Sequence, residues 1–130
     1  MKAPLINAGV IAIVDDDQPF RSALASILEA SGFGVIAYGS AEEFLGSFAQ
    51  RAAACLVLDV RLPGMSGVEL QRYMVKTGNL VPIIFVTGHG DDSLRDVLMN
   101  TGAKGFLPKP VRSDRLLAEI DAAIRKKAEN

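Results

Sequence analysis

The sequence predicts an α/β domain in which a five-stranded parallel sheet carries helices on both faces. Short apolar runs recur five times along the chain: VIAIV (10–14), VIAY (35–38), CLVL (55–58), PIIFVT (82–87) and GFL (105–107). Because these runs are continuously apolar rather than alternating, they are typical of strands covered on both faces, as in parallel sheets. Segments with helical periodicity lie between the runs. Strand and helix therefore alternate five times, which favours right-handed crossovers between parallel strands.

The predicted helices are recognised by apolar residues three and four positions apart on one face. These stripes are Leu24, Ile27 and Leu28 in the first helix, Phe44, Leu45 and Phe48 in the second, Leu94, Val97 and Leu98 in the fourth, and Leu116, Leu117, Ile120, Ala123 and Ile124 in the fifth. Gly67 and Gly102 are expected to mark boundaries between elements. Met99 lies off the fourth stripe, so we expect it to face solvent.

Residues at the helix boundaries agree with this division. Pro19 suits the first turn of the first helix, and Asp17 most simply begins that helix, where an acidic group interacts favourably with the helix dipole. Gly32 follows the helix and is suited to ending it. Ser40 and Glu43 have the spacing of a capping box at the start of the second helix. The boundaries therefore support the same order of elements.

Length and composition limit the classes of protein that the chain can belong to. The 130 residues fit one domain, and 49% apolar with 22% charged residues argue against a disordered or fibrous chain. No apolar run approaches the roughly 18 residues of a membrane span. The net charge of −1 gives no positive field for an anionic membrane or for nucleic acid, so we expect no direct binding to either.

Cysteine content and the start of the chain bear on the cellular compartment. Cys55 is the single cysteine, so no internal disulfide can form, and we expect its thiol to be buried and inert. The leader MKAPLINAG contains no apolar stretch of signal-peptide length. Together these features predict a cytoplasmic protein.

Reactive or charged side chains follow four of the five predicted strands. They are Asp15, Asp16 and Asp17 after the first, Asp59 after the third, Thr87 after the fourth and Lys109 after the fifth. Ligands of open α/β sheets bind outside the carboxyl ends of the strands, so we expect these side chains to share one cleft. Neighbouring carboxylates repel and call for a cation, and an all-oxygen set favours Mg²⁺. A lysine and a hydroxyl suit a bound dianion, and a carboxylate can itself accept a phosphoryl group.

The chain resembles the receiver domains of two-component response regulators over about residues 10–124. Four motifs carry the resemblance: VDDD, LVLDVRLPGMSG, VTGHG and KP, which follow strands one, three, four and five in that order. The resemblance implies a flavodoxin/CheY-like fold with strand order 2-1-3-4-5 and five helices. The wording of VTGHGD and MSGVEL is similar to the FixJ/NarL-like branch of these receivers. We expect residues 1–130 to form a single receiver domain, either alone or as part of a longer protein.

The resemblance implies a magnesium site built on three aspartates and one carbonyl group. Asp59 matches the phospho-acceptor, and it would also bind the metal. Asp16 matches a direct ligand, and Asp15 matches an acid that acts through water. The backbone carbonyl of Arg61 matches the remaining protein ligand.

The resemblance also implies how a phosphoryl group would be bound and sensed. Thr87 and Lys109 would contact phosphoryl oxygens on Asp59. Phe106 matches the switch aromatic, whose rotamer couples to movement of Thr87. The affected surface would be the α4-β5-α5 face in the five-helix numbering, formed by the predicted fourth helix, fifth strand and fifth helix.

The partners implied by the resemblance are a sensor histidine kinase or a phosphotransfer protein on the input side. On the output side they are a domain or protein that contacts the α4-β5-α5 face. The resemblance also leaves open a homodimer that forms on phosphorylation. The domain would catalyse only its own phosphorylation and dephosphorylation, and is therefore not expected to be a metabolic enzyme.

Three other functions are compatible with parts of the pattern. A phosphotransferase or phosphatase of the haloacid dehalogenase type also uses a strand-end aspartate, but it needs a second acid at the position that Arg61 occupies. A flavodoxin-like cofactor site needs a phosphate cradle after the first strand, where three aspartates would repel the phosphate. A docking module that is never phosphorylated would have no reason to combine Asp59, Thr87 and Lys109.

Two residues of the VTGHG loop need separate comment. His89 is most simply a solvated turn residue, and we assign it no role. Gly88 stands where many receivers have alanine, so it should admit a phosphodonor or water more freely. We expect a Gly88→Ala variant to lose its phosphoryl group more slowly; an unchanged dephosphorylation rate would count against this hypothesis.

Overall fold

The fold is given by a computed structural model that describes residues 9–88 and 92–129, without the side chains of residue 92 and of residues 127–129. His89 and the leader segment up to residue 8 lie outside the described residues. Five strands form one sheet: β1 (Val10–Val14), β2 (Gly34–Tyr38), β3 (Cys55–Asp59), β4 (Ile83–Thr87) and β5 (Gly105–Pro108). All neighbouring strands are parallel, in the order β2-β1-β3-β4-β5. The predicted fold class and strand order are confirmed.

In the described ranges, six helices connect and cover the strands, one more than the sequence predicts. They are α1 (Gln18–Ala30), α2 (Ala41–Leu45), α3 (Ala49–Ala52), α4 (Gly67–Lys76), α5 (Asp92–Asn100) and α6 (Ser113–Glu129). The additional helix arises because the predicted second helix is interrupted at Gly46, the C-cap of α2. The predicted fourth and fifth helices are therefore α5 and α6. None of the helices in the described part of the chain has the length and apolarity needed to cross a membrane.

The sheet separates two apolar layers, because successive side chains of a strand point to opposite faces. One layer joins alternate strand residues to buried side chains of α2, α4 and α5, such as Phe44, Leu70 and Leu98. The other joins the remaining strand residues to α1 and α6, through residues such as Leu28 and Leu116. All residues of β3 and β4 are buried, as expected for central strands covered on both faces.

Three apolar residues take positions that differ from the predicted ones. Phe48 is 75% exposed, because the interruption of the second helix turns it away from the buried Phe44. Val97 is 53% exposed, although the predicted stripe includes it. Met99 was expected to face solvent, but it is partly buried against the layer that contains Leu98. The apolar face of α5 is therefore rotated from the predicted stripe towards Met99.

The predicted helix starts are confirmed at α1 and only half confirmed at α2. Asp17 is the N-cap of α1, and its carboxylate accepts a hydrogen bond from the Phe20 amide at 3.2 Å. Ser40 caps α2 by accepting from the Glu43 amide. Glu43, however, accepts from the amide of Gly39 at 2.9 Å. It does not complete a capping box with Ser40.

A complete capping box lies at the start of α4, where the sequence reading did not identify one. The side chain of Ser66 accepts from the Glu69 amide at 3.1 Å, and the Glu69 carboxylate accepts from the Ser66 amide at 2.9 Å. Two amide groups of the first turn are thereby satisfied. The start of α4 is consequently fixed directly after the loop that follows β3.

Candidate functional site

Three carboxylates meet where β1 and β3 end at the same edge of the sheet. Ligand atoms of Asp15, Asp16 and Asp59 all lie within 4.8 Å of one another. Asp15 is fully buried and Asp59 is 6% exposed, whereas Asp16 points outward. The adjacency of β1 and β3 in the sheet creates this proximity, although Asp59 lies 43 positions after Asp16 in the sequence.

Asp15 is fixed by hydrogen bonds on both its backbone and its side chain. Its amide donates to the carbonyl of Tyr38 at 3.1 Å, and its carbonyl accepts from Arg21 Nη1 at 2.7 Å. Its Oδ1 accepts from the amide of Asp17 at 2.9 Å. The sequence reading missed Arg21, because the two residues are six positions apart and local helical spacing does not pair them. The buried carboxylate is therefore held in one orientation.

Lys109 supplies a positive charge to the same cluster. Its Nζ lies 2.8 Å from Asp15 Oδ2 and 3.4 Å from Asp59 Oδ2. The ammonium group also lies 4.2 Å from the centre of the Phe20 ring, a cation–π contact that the sequence reading did not predict. Burial alone would lower the pKa of Lys109, but the hydrogen bond with Asp15 and the charges of both aspartates together raise it. Lys109 therefore stays charged at neutral pH.

Asp59 has a raised pKa because its surroundings disfavour its charge. Burial and the nearby charge of Asp15 raise the pKa of Asp59 from 3.8 to about 6. The amide of Arg61, which donates to Asp59 Oδ1 at 3.2 Å, and the ammonium of Lys109 oppose this rise. A bound cation would lower the pKa of Asp59 from this raised value, since it favours the carboxylate form.

A close backbone contact fixes the direction of the loop after Asp59. The amide of Gly67 donates to the carbonyl of Val60 at 3.0 Å. A Cβ atom at Gly67 would overlap the carbonyl oxygen of Asp59, so a larger residue cannot take this place without moving α4. The first turn of α4 therefore packs directly on the backbone of the acidic edge.

The remaining predicted residues lie at the same edge or in the adjoining strand. Thr87 ends β4 and is 4% exposed. Arg61 is exposed in the loop after β3. Phe106 pairs with Phe85 in the β4–β5 register and is half-buried against the layer that includes α5. A Cβ atom at Gly88 would lie 3.8 Å from Lys109 Cδ, an ordinary contact, so the hypothesis about Gly88 stays a prediction.

The donor set fits Mg²⁺. All three side chains of the cluster offer carboxylate oxygens, which this ion prefers. Among the described residues, the partner of the buried Oδ2 of Asp15 is the Lys109 ammonium, 2.8 Å away. Asp16 is exposed, so its carboxylate is accessible to a hydrated ion. The residues present could therefore hold the metal between Asp16 and Asp59.

Fold and site together define a class of doubly wound α/β domain with an acidic pocket and one lysine at the carboxyl edge of the sheet. Residues 11–121 match the family model of the response regulator receiver domain. The chain belongs to this family. It is consequently a receiver domain of two-component systems, which is a signalling domain rather than a metabolic enzyme. This family membership excludes the phosphatase and flavodoxin-like alternatives.

The relatives agree with the branch that the sequence predicts. The chain is 42% identical over 119 residues to the response regulator protein TodT of Pseudomonas putida, covering 92% of this chain and 52% of TodT. It is 42% identical over 121 residues to the transcriptional regulatory protein FixJ of Bradyrhizobium diazoefficiens, covering 93% of this chain and 59% of FixJ. The crystal structure of FixJ-N superposes with a TM-score of 0.81 at 38% identity, and 96% of each chain is covered. The chain thus spans about half the length of the curated relatives it matches.

Proposed function

We propose that this protein is a phosphorylation-dependent switch in which Asp59 receives a phosphoryl group from a histidine kinase or a phosphotransfer protein. The observation that carries the proposal is the arrangement of Asp15, Asp16 and Asp59, whose ligand atoms lie within 4.8 Å of one another, beside the ammonium of Lys109. Such a pocket suits a carboxylate nucleophile, a divalent cation and an incoming anionic group.

The proposed reaction forms one bond and breaks one bond at phosphorus. An oxygen of Asp59 bonds to the phosphorus as the bond between phosphorus and the donor imidazole breaks, and the imidazole leaves with a proton from solvent. Because the pKa of Asp59 is about 6, its carboxylate is mostly ionised at neutral pH and can attack. Hydrolysis later transfers the phosphoryl group to water. We propose that the domain catalyses only these two steps on itself.

The residues around Asp59 have distinct parts in this proposal. The metal site would consist of Asp16, Asp59 and the carbonyl of Arg61, with Asp15 acting through water. Mg²⁺ bound there would neutralise negative charge during the transfer. Lys109 is 3.4 Å from Asp59 Oδ2 and would bind a phosphoryl oxygen. Thr87, buried at the end of β4, would donate its hydroxyl to another.

The signal would leave the site through Thr87 and Phe106. Phe106, Leu94 and Met99 are all partly buried against the same apolar layer, so movement of one changes the packing of the others. This supports a route to the α5–β5–α6 face, which is the α4-β5-α5 face of the sequence prediction. There we propose contact with an output domain or protein, or with a second phosphorylated copy.

The boundaries and compartment belong to the same proposal. We propose one receiver domain over residues 1–130 with its core at about 10–124, and the family match over residues 11–121 supports that core. Response regulators work with histidine kinases and output domains, and the relative FixJ is a transcriptional regulatory protein. We propose a cytoplasmic location, which the single free Cys55 supports.

Intact mass after incubation with acetyl phosphate and Mg²⁺ tests the proposal. The parent should gain one phosphoryl group, and Asp59→Asn should gain none. Asp96→Asn, a change at an exposed acid of α5, serves as the matched control and should behave as the parent. Omission of Mg²⁺ with added EDTA should abolish the gain. Phosphorylation of Asp59→Asn, or a parent that is never phosphorylated, would refute the proposal.

A further inference from the structure

The loop that follows Asp59, residues 60–66, carries the Arg61 carbonyl, so its conformation matters for the proposed metal site. Its beginning is tied to Asp59, because the amide of Arg61 donates to Asp59 Oδ1 at 3.2 Å. Its end is tied by the bond between Gly67 and the Val60 carbonyl at 3.0 Å and by the Ser66 cap of α4. The central turn around Gly64 lies on the surface between these two anchors.

Glu42 reaches this turn from a different part of the fold. Its Oε2 accepts a hydrogen bond from the amide of Met65 at 2.9 Å, across 23 positions of sequence. Glu42 belongs to α2, which is itself held by the Ser40 cap and by the fully buried Phe44. A helix that is held at its start and by its core residue therefore presents a carboxylate to the surface turn at the centre of the loop.

The backbone at Gly64 is adapted to this contact. Gly64 has φ +72°, a left-handed conformation that favours glycine, and a Cβ atom there would lie 2.6 Å from Glu42 Oε2. Because Gly64 has no Cβ atom, the carboxylate of Glu42 has room to reach the Met65 amide. The hydrogen bond from this amide lowers the pKa of Glu42, so the carboxylate is ionised at neutral pH.

We infer that Glu42 is a positioning residue: by holding the Gly64–Met65 turn, it keeps Arg61, whose amide donates to Asp59 Oδ1, in a place where its carbonyl can serve the proposed metal site. The inference rests on the proposed function, because it concerns the metal used in phosphorylation. Without Glu42 the loop must be ordered when the ion binds, and the loss of preorganisation lowers affinity. Glu42 itself does not touch the ion.

The test compares two variants at one position. Glu42→Ala removes the acceptor, whereas Glu42→Gln keeps an oxygen acceptor and removes the charge. Glu29→Ala deletes an exposed acid near the end of α1 and serves as the remote control. Magnesium affinity is measured by titration calorimetry, and the Met65 amide is followed by hydrogen exchange in the metal-free protein. Thermal melting of each variant shows whether the fold as a whole has changed.

We expect Glu42→Ala to bind Mg²⁺ about three- to tenfold more weakly, the range for loss of one hydrogen bond of this kind. Its Met65 amide should exchange faster, and its phosphorylation rate at saturating Mg²⁺ should stay near that of the parent. Glu42→Gln should recover most of the affinity. Glu29→Ala should match the parent in every measurement.

Two results would overturn the inference. Parent-like magnesium affinity in Glu42→Ala is the first. The second is an equal loss of magnesium affinity in Glu42→Ala and Glu42→Gln, with unchanged hydrogen exchange at the Met65 amide, since Glu42 would then act only through its charge. If the parent itself neither binds Mg²⁺ nor accepts a phosphoryl group, the proposed function fails instead. The exchange of the Met65 amide would still report on the contact with Glu42.

Discussion

Asp59 is buried in surroundings that disfavour the charge its proposed role requires. A carboxyl whose folded-state pKa of about 6 exceeds its unfolded value of 3.8 binds its proton more tightly when folded. It therefore costs no stability below about pH 4. The cost grows between about pH 4 and pH 6, where only the unfolded state has lost the proton, and it is constant at higher pH. The cost is present at neutral pH, where the carboxylate is mostly ionised, and the proposed phosphorylation requires this ionised form.

Asp59→Asn should therefore stabilise the metal-free domain at high pH. We expect the variant to exceed the parent by about 2 kcal/mol in free energy of unfolding at pH 8, because a neutral amide replaces the buried charge. The difference should shrink as the pH falls below 6. Urea unfolding in EDTA across this pH range measures it. A difference that does not vary with pH would contradict the assignment of the cost to the charge of Asp59.

Lys109 should stabilise the metal-free domain more than the domain with a divalent cation bound, because the cation would also neutralise the buried carboxylates. Lys109→Met keeps an apolar side chain near Phe20 but leaves Asp15 buried without its ion pair. We expect a loss of about 2 kcal/mol in EDTA, less than for a fully buried pair because Lys109 is partly exposed. Added Mg²⁺ should narrow this loss. The control is Lys76→Met, a change at an exposed residue of α4, which should alter stability little with or without Mg²⁺.

At the scale of elements, the contact between α4 and the acidic edge depends on the absence of a side chain at Gly67. Gly67→Ala would place a methyl group against the Asp59 carbonyl and push the first turn of α4 outward. We expect a loss of about 2 kcal/mol in stability, the usual size for overpacking, and slower phosphorylation by acetyl phosphate. Chemical unfolding and intact mass measure the two effects.

Gly78→Ala provides a comparison for this prediction. Gly78, unlike Gly67, has a positive φ of +72°, and nothing lies within 4 Å of a Cβ atom placed there. Its substitution should affect stability through backbone strain alone and leave phosphorylation unchanged. Equal loss of phosphorylation in both variants would show that the packing of α4 on Asp59 is not the cause.

The sequence predicts strands better than it predicts helix faces in this domain. Continuous apolar runs mark β1, β3 and β4, whose burial on both faces leaves little ambiguity. The second helix was misjudged because Phe48 keeps the helical spacing, whereas Gly46 ends the helix before Phe48 is reached. A periodic pattern records which residues are apolar, but it does not show which of them the rest of the fold covers.

The site shows the same division between what motifs reveal and what only the fold reveals. Asp15, Asp16, Asp59 and Lys109 could be identified because each follows a strand, and parallel strands share one edge. Arg21 and Glu42 could not, since they bind backbone groups of loops. Backbone groups carry no residue identity, so no sequence motif records these contacts.

At the scale of the whole molecule, the edge strand β5 lies between the two helices of the proposed output face. Phosphorylation should therefore change amide hydrogen exchange mainly in α5, β5 and α6. Strand β2, at the opposite edge of the sheet, should change little. Exchange measured with and without acetyl phosphate tests this expectation, and Asp59→Asn should show no response. A change confined to β2 would contradict the proposed route through Phe106.

The position of the one cysteine makes the centre of the sheet chemically observable. Cys55 begins β3, is fully buried, and burial raises the pKa of its thiol to about 12. Alkylating reagents react with the thiolate, so the folded protein should resist them until β3 becomes accessible. The rate of alkylation of Cys55 thus reports how often the domain opens, without an engineered label. Comparing this rate before and after phosphorylation would reveal whether phosphorylation makes opening of the core more frequent or changes only the surface.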